Sequence, residues 1–511
     1  LEPSLAATTL DSLDVLQSQP YQGIESVVSR FLPNIMTIRA LDEFGQVDQP
    51  LRDALAFEVQ LAVQRLYAQQ KVDGGWGWYV QDESNVLVTA WALIGLTEAR
   101  NEGFAVDEIV ITRAQDFLRG GLISSGLNIE AWRLDRQTFL LYALARSGSA
   151  DVGRTVALYD SRDRLSIYAK ALLATTLDLI GGDNNSRVLT LLSDITNDAI
   201  LSANGIHWEE AERDYWNWNT DTRTTAIVLQ TLIQLNPDSD LIPGAVRWLM
   251  VARDADIWET TQETAWVLLA LADWMRTSGE LNAAYDYTVG FNGDALTEGS
   301  ASPATVRTSQ TLLVDVNTML QDQINALTLS RTAGEGNLYY TAYLRALLPV
   351  PQIESLNRGL IIERRYTLLD DPDNETITSA QVGDLVQVRL TVIAPNDLHY
   401  VVIEDPIPAG ADAVNPNLTT SQQIGTRPGL DTSDPISRGW GWWWFSNIEF
   451  RDEKVVLNST YLPAGTYEYV YTIRPGLAGT YNVIPATGRE FFFPDVFGRS
   501  AGSTFTISPA Q

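Results

Sequence analysis

Few side chains in this chain are equipped for chemistry. Among 511 residues there are two histidines, His207 and His399, and no cysteine. That excludes thiolate nucleophiles, disulfides and Cys-ligated zinc, and two separated imidazoles do not make a zinc site. No metal and no cofactor is expected. His207 stands close to Glu209, Glu210 and Asp214, with Asp221 a little further on. Such carboxylates would suit a glycosidase, which needs two of them about 5–10 Å apart. The same stretch also reads as a solvated turn between helices. No glycine-rich phosphate loop and no Gly-x-Ser-x-Gly elbow is present.

Tryptophan is the second resource. Trp76, Trp78, Trp216 and Trp218 lie in turns, and a run occupies Trp440-Gly441-Trp442-Trp443-Trp444-Phe445. Indoles in helix-to-helix turns pack into the ends of a helical barrel, and exposed ones stack on sugars or on a partner. Laid out as a strand, the 440–445 run would send side chains to both faces, so one row needs a second surface. Trp440, Trp442, Trp443 and Trp444 are therefore candidates for contact with a neighbouring domain.

The elements that must hold these residues change character along the chain. From residue 4 to 276 the pattern is helical. Leu51, Leu55, Val59, Ala62, Val63 and Leu66 form one stripe, whereas Val86 to Ile94 is apolar nearly all round. Stripe-type helices belong on an outside and all-round ones inside. A motif of small or hydroxyl residues followed by aromatics and leucines recurs at Thr89, Thr138, Tyr168, Thr225 and Thr264. Its mean interval is about 44 residues, the length of a helical hairpin. Thr260-x-x-Glu263 is a capping box. About twelve helices in an inner and an outer ring make an α/α toroid.

Near residue 280 the pattern turns to strands. Tyr285 to Phe291 leads into the hairpin signal Asn292-Gly293. Leu338 to Leu344 looks strand-like, and Pro349-Val350-Pro351 looks like a linker. Beyond it, Leu385–Val392 and Thr466–Ile473 alternate as in an antiparallel β-sandwich. The expected division is a toroid over 1–278, a β domain over 279–350 and a terminal sandwich over 351–511.

Composition narrows the partners. The chain carries 35 Lys+Arg against 64 Asp+Glu, a net charge of −29, which opposes a nucleic-acid partner. Hydrophobic residues at 45% and charged residues at 19% are those of a folded chain. No apolar run reaches the roughly 18 residues of a membrane span. Leu1 to Leu16 carries no basic leader and reads as a helix in progress, so the chain reads as the C-terminal part of a longer one.

Taken in order, these stretches resemble the C-terminal half of a bacterial α2-macroglobulin. The resemblance rests on Pro20-Tyr21, Ser29 to Pro33, Asp73 to Trp78 and Thr89 to Leu93. In the β half it rests on Asn292-Gly293, Leu338-Tyr339-Tyr340, Glu404 to Gly410, Tyr461 to Tyr467 and Phe493 to Arg499. It implies a protease trap: an endopeptidase cuts a bait region and is enclosed. Many members carry a thioester between the Cys and Gln of a Pro-Tyr-Gly-Cys-x-Glu-Gln motif. Here the matching stretch reads Pro20-Tyr21-Gln22-Gly23-Ile24-Glu25-Ser26, with Gly23 at the Cys position and Ser26 at the Gln position. Only Glu25 of those last residues matches. The resemblance thus implies a non-enzymatic inhibitor that works by steric, non-covalent trapping. Its partners would be target endopeptidases, outside the cell or in the periplasm, with any membrane link through a tether outside the chain. The competing readings are a surface adhesion or structural protein on the same fold, and a toroid enzyme acting on carbohydrates or terpenoids.

Overall fold

The computed structural model describes all residues except 19–22, 46, 125–128, 203–204, 212–213, 254–256, 322, 344–346, 370, 372, 417–439, 492–495 and 511. The chain forms two compact units, Leu1–Ala342 and Tyr343–Gln511.

Among the described residues the first unit begins with twelve α-helices: α1 (Leu5–Ser18), α2 (Ile24–Glu43), α3 (Gln49–Gln69), α4 (Val86–Asn101), α5 (Glu108–Gly121), α6 (Ala131–Arg146), α7 (Val152–Tyr159), α8 (Ile167–Ile180), α9 (Asn185–Asn197), α10 (Asp221–Leu235), α11 (Ile242–Val251) and α12 (Thr261–Ser278). The even-numbered helices touch in a closed ring, α2 to α4 and onward to α12, which returns to α2. They are the helices apolar nearly all round, and ten residues or more of each are buried. The odd-numbered helices lie outside. α3 buries only Leu55, Val59, Ala62, Val63 and Leu66, and α5 only Ile111, Ala114 and Leu118. The recurring motif marks the inner ring: Thr89, Thr138, Tyr168, Thr225 and Thr264 fall on α4, α6, α8, α10 and α12.

One device repeats at three outer-to-inner turns. Trp76, Trp208 and Trp258 are fully buried. Each indole N–H donates at 2.8 Å to a carbonyl at the end of the preceding outer helix, Leu66, Ile195 and Leu249. Each backbone N–H donates at 2.9–3.1 Å to Thr89, Thr225 or Thr264 of the following inner helix. A carbonyl in the last turn of the outer helix is thereby engaged, and the two helices are tied together.

The strand elements of this unit are a short hairpin, β1 (Ile200–Ser202) with β2 (Gly205–His207), and a three-stranded antiparallel sheet. In that sheet β3 (Tyr285–Phe291) lies between β4 (Asp294–Ala301) and β5 (Leu327–Arg331). The β3–β4 turn is Asn292-Gly293, with φ of 52° and 95°, the positive values a two-residue hairpin of this hand requires. The expected strand over 338–344 does not form among the described residues. Only Tyr339 pairs, bridging to Glu2, and its hydroxyl donates to Glu280 at 2.8 Å. These bonds hold the segment on the helical body instead of in a sheet.

The second unit is a β-sandwich. A four-stranded sheet runs in the order Ala411–Ala413, Gly465–Pro475, Val386–Ala394 and Ile361–Leu368. A six-stranded sheet is centred on the antiparallel pair Leu398–Pro406 and Lys454–Leu462. Val388, Leu390, Val392, Ile403, Leu457, Tyr469 and Ile473 fill the space between. A third, small sheet includes one parallel pair, between Ser503–Ser508 and Ser379–Gln381.

Candidate functional site

Adjacent inner helices are each separated in sequence by one outer helix, so all six start at the same end of the ring. That end, the mouth, gathers the residues with chemistry. At α2 the N-cap is Gly23, which has no side chain to cap with. The Trp78 carbonyl takes its place, accepting the Ile24 N–H at 2.9 Å. Gly23 has an ordinary extended backbone (φ −67°, ψ 156°). A Cβ there would stand 3.2 Å from the Trp78 carbonyl oxygen and 3.8 Å from the Tyr79 ring. A larger residue here would be crowded by this neighbour, not by its own backbone angles.

Glu25 follows, buried at the first turns of α2 and α12. Its carboxylate accepts from Ser29 Oγ at 2.6 Å, Ser26 Oγ at 3.1 Å, Thr261 Oγ1 at 2.9 Å and Gln262 Nε2 at 3.2 Å. All four donors are neutral, and the positive ends of two helices add to them. Ser29 in turn accepts from Trp91 Nε1 at 3.0 Å. Ser26 is thus one of four groups sharing a carboxylate. No imidazole joins it: His207 lies on β2, stacked on Trp248 at 4.7 Å with Nε2 2.9 Å from Glu209. Pro20, Tyr21 and Gln22 of the motif stretch lie outside the described residues.

Residues 208–210 and 214–220, between β2 and α10, lie at the same mouth. Glu210 is buried and accepts from the Ile167 and Tyr168 N–H groups at 2.9 and 3.1 Å, capping α8. Thr224 Oγ1 donates to it at 2.8 Å. Asp214 accepts from the Tyr168 hydroxyl at 3.2 Å and from Asn217 Nδ2 at 2.6 Å. Asp221 takes the Glu210 N–H at 3.0 Å. Below them Arg223 is buried over the rings of Tyr168, Trp266 and Phe139 and donates to Asn219 at 2.8 Å. Asp135 of α6 accepts from the Ser166 N–H at 3.0 Å. Burial pushes its carboxyl up to about 8, with Asp214 and Glu210 adding to the effect. Burial likewise raises Glu210 and carries Tyr168 well above the ordinary phenol range.

Of the four candidate catalytic acids read from the sequence, Glu209 faces His207, and Glu210, Asp214 and Asp221 are occupied as helix caps and loop pins. Asp135, Arg223, Thr261 and Gln262 were not singled out by sequence reasoning, and Tyr168 only as a position of the recurring motif. Their roles here depend largely on partners brought from other helices of the ring. Among the described residues no group of three His, Asp or Glu could hold a metal ion, and no helix is long and apolar enough to cross a membrane.

In the second unit the aromatic run is not a strand. Gly441, at φ 75°, opens a 3-10 turn over Trp442–Trp444. Phe445 enters the core, whereas Trp440, Trp443 and Trp444 are 65%, 45% and 37% exposed. Trp440 and Trp443 meet edge to face at 5.3 Å, and Trp444 packs at the edges of Tyr461 and Tyr467. The turn thus leaves Trp440, Trp443 and Trp444 exposed, while Trp442 packs against the core.

Two family descriptions match this chain: "A-macroglobulin TED domain" over residues 2–130 and "Bacterial Alpha-2-macroglobulin MG10 domain" over residues 359–495. Alpha-2-macroglobulin of Escherichia coli is 24% identical over 501 residues, which is 94% of this chain and 28% of that protein. The chain belongs to the α2-macroglobulin family. A second relative, the alpha-2-macroglobulin homolog of Nostoc, is 24% identical over 87% of this chain and 23% of its own length. This α2-macroglobulin-family chain thus spans about a quarter of these curated relatives. Its fold matches the crystal structure of native Escherichia coli alpha-2-macroglobulin from domain MG7 to the C-terminus, with a TM-score of 0.55 at 18% identity, over 99% of this chain and 76% of that one. It also matches Salmonella alpha-2-macroglobulin reacted with methylamine, with a TM-score of 0.53 at 18% identity, over 99% of this chain and 31% of that one. Of the stretches that carried the resemblance, Phe493, Pro494 and Asp495 lie outside the described residues, as Pro20 and Tyr21 do.

Proposed function

We propose that this chain is part of an endopeptidase inhibitor of the α2-macroglobulin type that holds its target by steric enclosure, with no covalent bond. The observation that carries the reading is the start of α2. The chain has no cysteine, and Gly23, at the position of the family's thioester Cys, sits under the Trp78 carbonyl, whose oxygen an added Cβ would press at 3.2 Å. Ser26, at the position of the acyl donor, is bound to Glu25. Thioester transfer needs a thiol and an activated acyl group, and this site supplies neither.

In this reading residues 1–278, 279–350 and 351–511 are scaffold, not an enzyme. The partners are target endopeptidases, met outside the cell or in the periplasm, and any membrane link runs through a tether outside this chain. Family membership supports the inhibitory role. The exposed Trp440, Trp443 and Trp444, with Trp442, support a contact with a neighbouring domain. Replacing Trp442, Trp443 and Trp444 by Ala is expected to loosen that contact, read as a changed melting profile.

The protein carrying this chain is to be mixed with a broad-specificity protease. Protection of a large protein substrate, while a small chromogenic peptide is still cut, is the expected result. Full-rate cleavage of both substrates would overturn the trapping reading and favour a surface scaffold or adhesion role.

A further inference from the structure

Trp218 is a non-glycine residue in the left-handed region, with φ 55°. A bulky side chain reaches that conformation only when its surroundings impose it. Here the surroundings are Asn217 and Asn219, both buried. Asn217 donates to the Trp132 carbonyl at 2.8 Å and to Asp214 at 2.6 Å, and accepts from Arg136 Nε at 3.0 Å. Asn219 donates to Thr224 at 2.7 Å, accepts from Arg223 at 2.8 Å, and its N–H reaches the Asp214 carbonyl at 3.1 Å. Arg136 also donates to the Trp216 carbonyl at 2.7 Å. With both flanks fixed to α6 and α10, the strained residue between them sends its indole across the mouth onto Trp78, ring centroids 4.6 Å apart. Trp78 is the residue whose carbonyl takes the Ile24 N–H and closes over Gly23.

We propose that residues 214–220, ahead of α10, form a strap across the toroid mouth, that Trp218 is its latch, and that the latch holds Trp78 down on the start of α2. Releasing Trp218 opens the Trp78–Ile24 hydrogen bond and admits water to Gly23, Glu25 and Ser26, while the helical ring stays folded. Strain kept at Trp218 by a hydrogen-bond network is what a two-position element needs, because breaking the network lets the residue leave. Trp218 is thus a positioning residue acting through Trp78. The inference rests on this geometry and not on trapping, so the two readings fail separately.

Hydrogen exchange on the full chain tests it. Trp218→Gly removes the latch, and glycine tolerates the positive φ. Exchange of the Ile24 amide is expected to rise tenfold or more, with the amides of Leu172 and Leu173 in α8 unchanged. Trp218→Phe keeps a ring against Trp78 and should hold Ile24 within threefold of the wild type. Where Trp218→Gly loosens α8 as well, Asp214→Asn, which unpins the strap at a distance from Trp78, must raise Ile24 exchange with α8 protected. Ile24 protection unchanged in both Trp218→Gly and Asp214→Asn would overturn the proposal.

Discussion

The two ends of the toroid are built from the same six helices and hold their carboxylates in different ways. At the mouth, where the inner helices begin, the acids Glu25, Glu210, Asp221 and Glu263 sit in or against first turns. At the far end, where those helices finish, Arg39 donates to Glu98 and Glu102, Arg146 to Glu98, and Arg276 to Glu43 at 2.8–2.9 Å. The helix macrodipole favours the acids in the first turns and Arg100, Arg146 and Arg276 in the last turns of α4, α6 and α12. It does not account for the closure. The far end keeps a cavity of about 250 Å³ lined by Met36, Arg39, Arg146, Gln230, Asp273 and Arg276. The mouth is shut by neutral donors, tryptophans and a carbonyl lying over Gly23. Carboxylates held by neutral donors need a dry, fixed frame, whereas guanidinium–carboxylate pairs tolerate an open one.

The contrast can be broken first along the axis between the two ends. Trp91, fully buried, lies 5.3 Å from Trp266 and donates to Ser29. Trp91→Ala should lower stability by about 3–5 kcal/mol through the cavity it leaves, measured by urea denaturation. A loss under about 1 kcal/mol would mean that the axis is not a packed plug.

Next comes pH. The Asp135 pKa is raised from 3.8 to about 8 on folding, so the folded chain keeps a proton that the unfolded chain has released. Stability tied to this group is fully present below about pH 4 and falls as pH rises toward 8, by roughly 1.4 kcal/mol per unit. Asp135→Asn should remove that slope. Its advantage over the wild type should grow by about 2–3 kcal/mol between pH 5 and pH 7, and equal urea midpoints at both pH values would show Asp135 to be ionised and paired.

A smaller effect is expected at Glu25. Glu25→Ala leaves the buried donors Ser29 and Gln262 without their acceptor, at about 2 kcal/mol. Unchanged stability would mean that water already serves them. The smallest effect sharpens the closure itself. At the backbone angles of Gly23, a Gly→Ala change ordinarily stabilises by about 0.4–1 kcal/mol through the unfolded chain. Contact of the new Cβ with the Trp78 carbonyl should reverse that sign, giving a net loss below about 1 kcal/mol. A net gain would show that the carbonyl yields.

Periodicity carried much of the fold. The stripe on α3, the all-round burial of α4, the capping box at Thr260 and the Asn292-Gly293 hairpin are local signals, and each lies where its spacing placed it. The 440–445 run was misread because composition says strand while Gly441, at positive φ, starts a 3-10 turn. The stretch at 338–344 was misread because long-range bonds of Tyr339, to Glu280 and to the backbone of Glu2, outweigh β-propensity. Trp208 escaped notice as the counterpart of Trp76 because the distance from tryptophan to its threonine differs in each loop, although the bonds are the same. Glu25 was legible through the motif. Its donors Thr261 and Gln262 were not, since ring closure brings them from more than 230 residues away.

The central claim, a closed and non-covalent site at the start of α2, is tested most directly by intact mass under denaturing conditions. The protein carrying this chain is incubated with an active protease, and in parallel with methylamine, and then weighed. Protease and inhibitor masses that separate completely, with no methylamine adduct on this chain, are the predicted result. A covalent protease–inhibitor species, or an adduct mapping to residues 20–26, would contradict it.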